Sequence, residues 1–335
     1  MNTTFNWGIV GPGKIAHKFA QDIAKIEHAR ISAVASRSEE RALGFAKQYD
    51  APHAYSQYED FLQCPDLDAV YIATPHSHHH TYAMMCLKAG IPVLCEKAFA
   101  LNSQQAQEMV DTARQNGVFL MEALWTRFLP TTLKILELIQ SDAIGRVQSV
   151  KADFGFKAHY DELGRLFNPE LAGGALLDIG IYPAFLAYLI LGEPSQIKAA
   201  ARIGQTGVDE EIGMVFQYAT EEGQVNRMAH LHATLRSNTK TEAFLYGEKG
   251  TIHWHTRWHE PSDFSVIGEY GRPQNHYFEW HNNGYAYEAQ EVMRCIEQGK
   301  TESELWPLDS TLGLMRILDR IREEIDLRYP GEERA

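Results

Sequence analysis

The sequence predicts an α/β domain on a doubly wound parallel sheet, followed by an α+β domain with an open, mostly antiparallel mixed sheet. Three observations point to it. Short apolar runs alternate with helix-like stretches as far as about Phe119, longer alternating and aromatic-rich runs take over after Pro130, and a glycine turn joins the first strand to the first helix.

The elements follow in order. Trp7 to Val10, Ile31 to Ala35, Ala69 to Ala73, Val93 to Cys95 and Val118 to Met121 are short apolar segments suited to strands buried on both faces. Between them, Ile15 to Ile26, Glu39 to Tyr49, His79 to Ala89 and Ser103 to Asn116 carry apolar residues at helical spacing. Ala89-Gly90 and Asn116-Gly117 sit where C-caps belong. After a helix over about Thr131 to Ser141, strands are predicted at Val147 to Phe156, Ile197 to Ile203, Glu211 to Tyr218, Asn226 to Leu235, Thr241 to Leu245 and Thr251 to His255. A helix near Pro183 to Leu191 interrupts them, and Gly247 to Gly250 reads as a hairpin turn. Closing helices at Tyr285 to Gln298 and Ser310 to Leu327 are expected to pack back on the first domain. The domain boundary is set at 124/125: residues 1–124 bind a cofactor, and residues 125–335 bind substrate and a second copy.

Composition narrows the classes of function. The 335 residues are 44% hydrophobic and 22% charged, an ordinary globular balance with room for two domains. Lys plus Arg total 31 against 44 Asp plus Glu, and the formal charge of -13 repels a phosphate backbone, so no nucleic-acid partner is expected. Met1 to Phe5 lacks a basic segment followed by an apolar one, and no apolar run in the sequence reaches the roughly 18 residues of a bilayer span. The reading is a cytoplasmic protein with no membrane partner. Cys64, Cys86, Cys95 and Cys295 are scattered, without CxxC spacing, and read as reduced, buried thiols.

The opening strand runs into Gly11-Pro12-Gly13-Lys14-Ile15-Ala16, a GxGxxA turn. Gly11 permits the tight bend, Gly13 lets the backbone approach a pyrophosphate, and Ala16 allows close helix packing; the helix N-terminus, at Lys14 and Ile15, offers N–H groups and a positive dipole end. Glycines also mark plain turns, and it is the βαβ context at the chain start that makes this a dinucleotide fingerprint. An NAD-selecting second strand ends in Asp or Glu; here the place reads Ala35-Ser36-Arg37-Ser38, with Arg41 following. Guanidinium and hydroxyl groups suit a 2′-phosphate, so NADP is the expected cofactor. Arg37 and Arg41 would equally be solvated charges at a helix start.

Glu96 and Lys97 stand at the carboxyl end of the fourth predicted strand, where ligand crevices open. A lysine in a partly dry cleft would stabilise a developing alkoxide and lower a neighbouring phenol's pKa. Asp178 and Tyr182, at i and i+4, would share a helix face, the tyrosine as acid or base for an oxygen that gains or loses a proton during hydride transfer, the aspartate orienting substrate or lysine. A helix N-cap and a core tyrosine would leave the same pattern.

GIVGPGKIA at 8–16, CEK at 95–97, EALWTRFLP at 122–130 and GGALLDIGIY at 173–182 together resemble the glucose-fructose oxidoreductase/inositol dehydrogenase (Gfo/Idh/MocA) family, over nearly the whole chain from Trp7 to about Arg322. The resemblance implies a Rossmann domain, an open-faced sheet used for homodimerisation, and Lys97 with Tyr182 as the catalytic pair. Within Thr74-Pro75-His76-Ser77-His78-His79-His80 it implies that His76 and His79 approach the nicotinamide half beside Thr74. No metal is expected there, because no Cys, Asp or Glu adjoins the histidines. Trp125, Phe154 and Trp254 match positions lining an aromatic substrate pocket, with core packing as the competing use. Such a lining stacks on a pyranose or a carbocycle, so the expected substrate is a sugar or a cyclic trans-diol. One departure stands out: the family has proline after Glu-Lys, and this chain has Ala98. That keeps open a second reading, a non-catalytic NADP-binding sensor of the same fold.

Overall fold

The computed structural model describes residues 4–219, 225–269 and 271–332. The chain divides into two compact units: Met1–Phe128 with Trp280–Leu312, and Leu129–Glu279 with Gly313–Ala335.

In the first unit β1 (Phe5–Val10), β2 (Ala29–Ala35), β3 (His53–Tyr55), β4 (Ala69–Ile72), β5 (Val93–Glu96) and β6 (Leu120–Ala123) form a parallel sheet in the order β3-β2-β1-β4-β5-β6. β1, β4, β5 and β6 are buried along their whole length, which is why they read mainly as apolar runs, broken at Asn6, Glu96 and Glu122. The order reverses between β1 and β4, and ligand crevices of open α/β sheets lie at that switch point, outside the carboxyl ends of the strands. The residues singled out from the sequence follow those ends: Gly11 after β1, Ser36 after β2, Thr74 after β4 and Lys97 after β5. β3 is absent from the sequence prediction; its three half-buried residues are too few to show a period.

The helix Tyr285–Glu297 belongs to this unit. Its first turn is anchored by the buried Asp22 carboxylate, which accepts the backbone N–H groups of Asn283, Tyr285 and Ala286 at 2.9–3.2 Å. The last helix, Leu308–Glu324, is divided, its residues from Gly313 onward grouping with the second unit.

The second unit carries β7 (Val147–Gly155), β8 (Gln196–Ile203), β9 (Asp209–Ala219), β10 (Val225–Thr234), β11 (Ala243–Gly247), β12 (Gly250–Trp254), β13 (Phe264–Gly268) and β14 (Gln274–His276), ordered β14-β13-β12-β11-β7-β10-β9-β8. Every neighbouring pair is antiparallel except β7 with β10. The hairpin turn predicted at Gly247 to Gly250 joins β11 to β12. The sequence prediction lacks β13 and β14: the buried residues of β13, Phe264 and Ser265, are adjacent and show no alternation, and β14, three residues at the sheet edge, is polar and defined by its backbone pairing alone.

One face of this sheet packs under the helix Ile181–Leu191, over a core that includes the fully buried Phe185, Phe216, Trp254, Trp258 and Phe264. Each such aromatic contributes roughly 2–3 kcal/mol by leaving water. The other face is open: Lys151 and His230 are exposed, Tyr246 is 39% exposed, and Phe244 and His253 are half-buried. The helical stretch Pro169–Leu191 is long and apolar enough to cross a membrane by length and composition, a stretch that the count of apolar residues in the sequence passes over because Glu170 and Asp178 interrupt it. With 83% of its most apolar window buried inside the fold, it serves as a core helix.

Candidate active site

The first unit builds a cradle mostly from backbone. Gly11 has φ +87°, and a Cβ there would stand 2.9 Å from Thr74 Cγ2 and 3.0 Å from the Ala73 carbonyl oxygen, so only glycine makes this turn. Its N–H donates to Ala35 O at 3.1 Å, tying the turn to the end of β2. Gly13 is the N-cap of the helix Lys14–Ile23 and places no side chain over it, so the N–H groups of the first turn, at Lys14, Ile15 and Ala16, face outward without a side-chain cap. Ala16 is buried against the sheet.

At the end of β2 the buried Ser36 Oγ accepts the Ser38 N–H at 3.2 Å, and Ser38 caps the helix Glu39–Gln48 by accepting the Arg41 N–H at 3.3 Å. Arg37 and Arg41 are exposed, and Arg41 Nη2 donates to Pro12 O at 3.4 Å, linking the second strand's end to the glycine turn. Beside Gly11, the buried Thr74 Oγ1 has no hydrogen-bond partner among the described residues. A bare helix N-terminus, an orphaned hydroxyl and two guanidinium groups fit the phosphate groups of a dinucleotide.

The loops after β4 and β5 are spliced by His79. The ring is fully buried, with Nδ1 2.8 Å from Ala98 O and Nε2 2.9 Å from Thr74 O. Burial outweighs those two contacts and brings its pKa down to about 4; the neutral ring therefore donates to one carbonyl at a time. His76 is also buried and lies edge-on to it, ring centres 5.7 Å apart. Among the described residues no group of three or more His, Cys, Asp or Glu could hold a metal ion.

Glu96 faces inward, accepting the Tyr71 hydroxyl and, at 3.2 Å, the Lys97 backbone N–H. Tyr71 stacks on Phe19 at 3.9 Å. Lys97 is half-buried, the Lys97–Ala98 peptide is cis, and Ala98 and Phe99 are fully buried. Two buried acids support this region. Burial, then the charges of Glu96 and Asp22, push the Glu288 carboxyl well up, and burial raises Glu122 to about 7 although Trp306 Nε1 and Thr311 Oγ1 donate to it at 3.0 and 2.9 Å. Trp125 also belongs to this unit, buried and stacked on Tyr285 at 4.5 Å.

The second unit builds an aromatic box from side chains. The turn at Gly173-Gly174 is held from two sides: Tyr329 Oη donates to Gly173 O at 2.7 Å, and the fully buried Asp209 carboxylate accepts the Leu176 N–H at 2.7 Å. Gly174 has φ +118°, and a Cβ there would collide with the Asp209 carboxylate. From Leu176 to Gly180 the chain is wound wider than an α-helix, a π-type bulge, before Ile181–Leu191 resumes the α form. Asp178 and Tyr182 are therefore separated by this bulge and not by the regular α turn read from the sequence.

The buried Asp178 carboxylate pairs with the Arg165 guanidinium. Tyr182 packs against Phe154 at 5.7 Å and His259 at 4.9 Å, and Phe154 stacks on His259 at 3.9 Å. Trp254 is fully buried behind them, edge-on to Trp258 at 5.5 Å and donating its indole N–H to Ser262 Oγ at 3.0 Å, which makes it a back wall. His259 Nε2 lies 3.5 Å from Glu260 Oε1. Burial alone would raise the Glu260 carboxyl, yet hydrogen bonds and charge from His259 and Arg257 take it down to about 2.

Residues 5–124 match the Gfo/Idh/MocA oxidoreductase family, NAD-binding Rossmann fold, and residues 132–253 match its C-terminal domain. The chain belongs to this family. It is an NAD(P)-binding oxidoreductase in its fold and its sequence. It is 37% identical over 333 residues to trans-1,2-dihydrobenzene-1,2-diol dehydrogenase of Danio rerio, covering 96% of this chain and 97% of that one. It is 34% identical over 337 residues to the same enzyme of Xenopus tropicalis, covering 97% and 99%. The solved structure of a 3-ketoreductase from Actinomadura kijaniata in complex with NADP and TDP-benzene superposes with a TM-score of 0.85 at 22% identity, over 96% of this chain and 98% of that one.

Sequence reasoning passed over His259, Glu260, Arg165 and Asp209. A histidine and glutamate in Trp258-His259-Glu260 carry no spacing signal, and the place of His259 beside Tyr182 arises only when the loop after β12 folds back on β7, Trp258 Nε1 donating to Asp153 O.

Proposed function

We propose that the chain is an NADP-dependent dehydrogenase acting on a CH–OH or C=O carbon of a cyclic trans-diol or a sugar. The observation that carries this reading is Tyr182, whose phenol sits in a buried aromatic box at the end of a glycine-hinged turn. When bound, the nicotinamide supplies the site that accepts or donates the hydride. Tyr182 exchanges the proton of the reacting oxygen, Lys97 supplies the cation that stabilises charge on that oxygen, and Asp178 orients substrate. Gly11, Gly13, Lys14, Ile15 and Ala16 hold the pyrophosphate, and Ser36, Arg37 and Arg41 hold the 2′-phosphate. Thr74 and His76 bound the nicotinamide side, with His79 and Glu96 fixing the loops from behind. Phe154, with Trp125 and Trp254, provides apolar surface for the ring of the substrate.

In this proposal residues 1–124 are the NADP-binding domain, residues 125–335 bind substrate, and a second copy docks on the open face of the second sheet. The compartment is the cytoplasm, in keeping with four buried, free cysteines. The 32–37% identity to relatives named for a trans-diol favours that substrate over an aldose. Purified protein mixed with NADP and a panel of trans-diols and aldoses should show rising absorbance at the reduced-nicotinamide band. Flat traces with every substrate, alongside tight NADP binding, would leave the sensor reading in its place.

A further inference from the structure

A phenol titrates ordinarily near 10, so a tyrosine that trades protons near neutral pH needs a neighbour that favours its anionic form. We propose that His259, backed by Glu260, is a positioning residue for Tyr182 that fixes the phenol ring and stabilises phenolate. The inference rests on the reading of Tyr182 as proton carrier, and it goes beyond that reading by assigning a second cation to the ring.

The geometry is built for this. His259 is 2% exposed, stacked on Phe154 with 27° between ring planes, and its ring centre is 4.9 Å from that of Tyr182 at 52°. Aromatic packing on one side and Trp258 at 6.1 Å on another leave the imidazole little freedom to turn. Its Nε2 lies 3.5 Å from Glu260 Oε1, and the Arg257 guanidinium grips both oxygens of that carboxylate, Nη2 on Oε1 and Nε donating to Oε2 at 2.7 Å. A carboxylate kept ionised at this distance favours the imidazolium, and an imidazolium beside a phenol favours phenolate. With the imidazole protonated, Arg257, Glu260 and His259 together present one net positive charge.

Other charged groups on the described elements packed against Tyr182 are engaged elsewhere or turned away. Asp178, on the bulge before its helix, is paired with Arg165, and Asp209 is engaged with the Leu176 N–H. On β7, Lys151 and Asp153 alternate with the inward Phe154 and face the open side of the sheet, as do His230 and His232 on β10; Arg227 lies over the Tyr218 ring.

The test places 3-fluorotyrosine at position 182 of the full chain and follows its ¹⁹F shift against pH in the otherwise wild-type protein, in His259→Phe and in Glu260→Gln. His259→Phe should raise the phenol midpoint by about one unit or more, and Glu260→Gln should raise it by less, in the same direction. A purely structural imidazole would lower the melting temperature and leave the midpoint in place. Should His259→Phe fail to fold, Glu260→Gln decides alone, since it leaves the stacked ring intact. A midpoint within roughly 0.2 unit of wild type, or below it, in the deciding variant overturns the assignment. The titration needs no turnover, so failure of the dehydrogenase reading is registered separately, by the absence of NADP reduction with any diol or sugar.

Discussion

The cradle in the first unit and the aromatic box in the second are built by different means. The cradle is made of turns at the carboxyl ends of neighbouring strands, and its chemistry is mostly backbone: a positive-φ glycine, an uncapped helix start, carbonyls gripped by His79. The box is made of side chains from β7, the helix after Gly180 and the loop after β12, brought together by packing. A backbone site is written in a few adjacent residues, because a turn needs particular residue types at fixed offsets. A side-chain site is written nowhere in particular, because its members meet only through the sheet register.

Four changes sharpen or break that contrast. The largest effect is expected from Tyr182→Phe, which should lower kcat on the order of 10²–10⁴-fold with little change in NADP affinity or melting temperature. A normal kcat would remove the box from the chemistry. Gly11→Ala should act in the cradle alone. The new Cβ meets Thr74 and Ala73 at 2.9 and 3.0 Å in a left-handed conformation, so dinucleotide binding measured by calorimetry should fall by roughly 10-fold or more and stability by about 1–3 kcal/mol. Arg37→Ala with Arg41→Ala should weaken NADPH about 10–100-fold and NADH hardly at all, as the loss of one or two charge-assisted hydrogen bonds requires. Equal weakening of both would mean that the guanidiniums are only solvated charges.

The smallest effect concerns pH. Glu122 is raised to about 7 from an ordinary 4.5 by burial, so the folded chain holds that proton more tightly than the unfolded one. The stabilisation this brings is complete below about 4.5 and is lost as pH rises through 7. Glu122→Gln stays neutral while keeping an acceptor for Trp306 and Thr311, and should therefore be more stable than wild type at pH 8, on the order of 2 kcal/mol, with little difference at pH 4. Urea unfolding at both pH values measures it; an equal effect at the two would show that the carboxyl does not titrate in this range.

Much of the fold was legible. Five of the six strands of the first sheet announce themselves as apolar runs, and the alternating strands from β7 to β12 do so too. β3 and β14, three residues each, are held by register with a longer neighbour and carry no pattern of their own. In the proposed site, Gly11, Gly13 and the basic end of β2 stand out in the sequence because a turn and a strand end are local features. His79 shows the limit: the motif suggested a group near the cofactor, and the fold engages both its nitrogens with carbonyl oxygens of two loops. The sequence makes Asp178 half of a regular helical pair, and the bulge from Leu176 to Gly180 changes that spacing.

The sequence by itself determined the layers, the dinucleotide turn and the absence of an acid at the end of the second strand, since hydrophobic period and turn chemistry act over a few residues. Tertiary structure alone decided that Asp209 braces the turn leading to Tyr182, that His259 rather than some other ring lies against that phenol, and that Glu122 and Glu288 sit dry enough to hold protons. Those outcomes depend on distance and dielectric between segments far apart in the chain, quantities that no local pattern encodes.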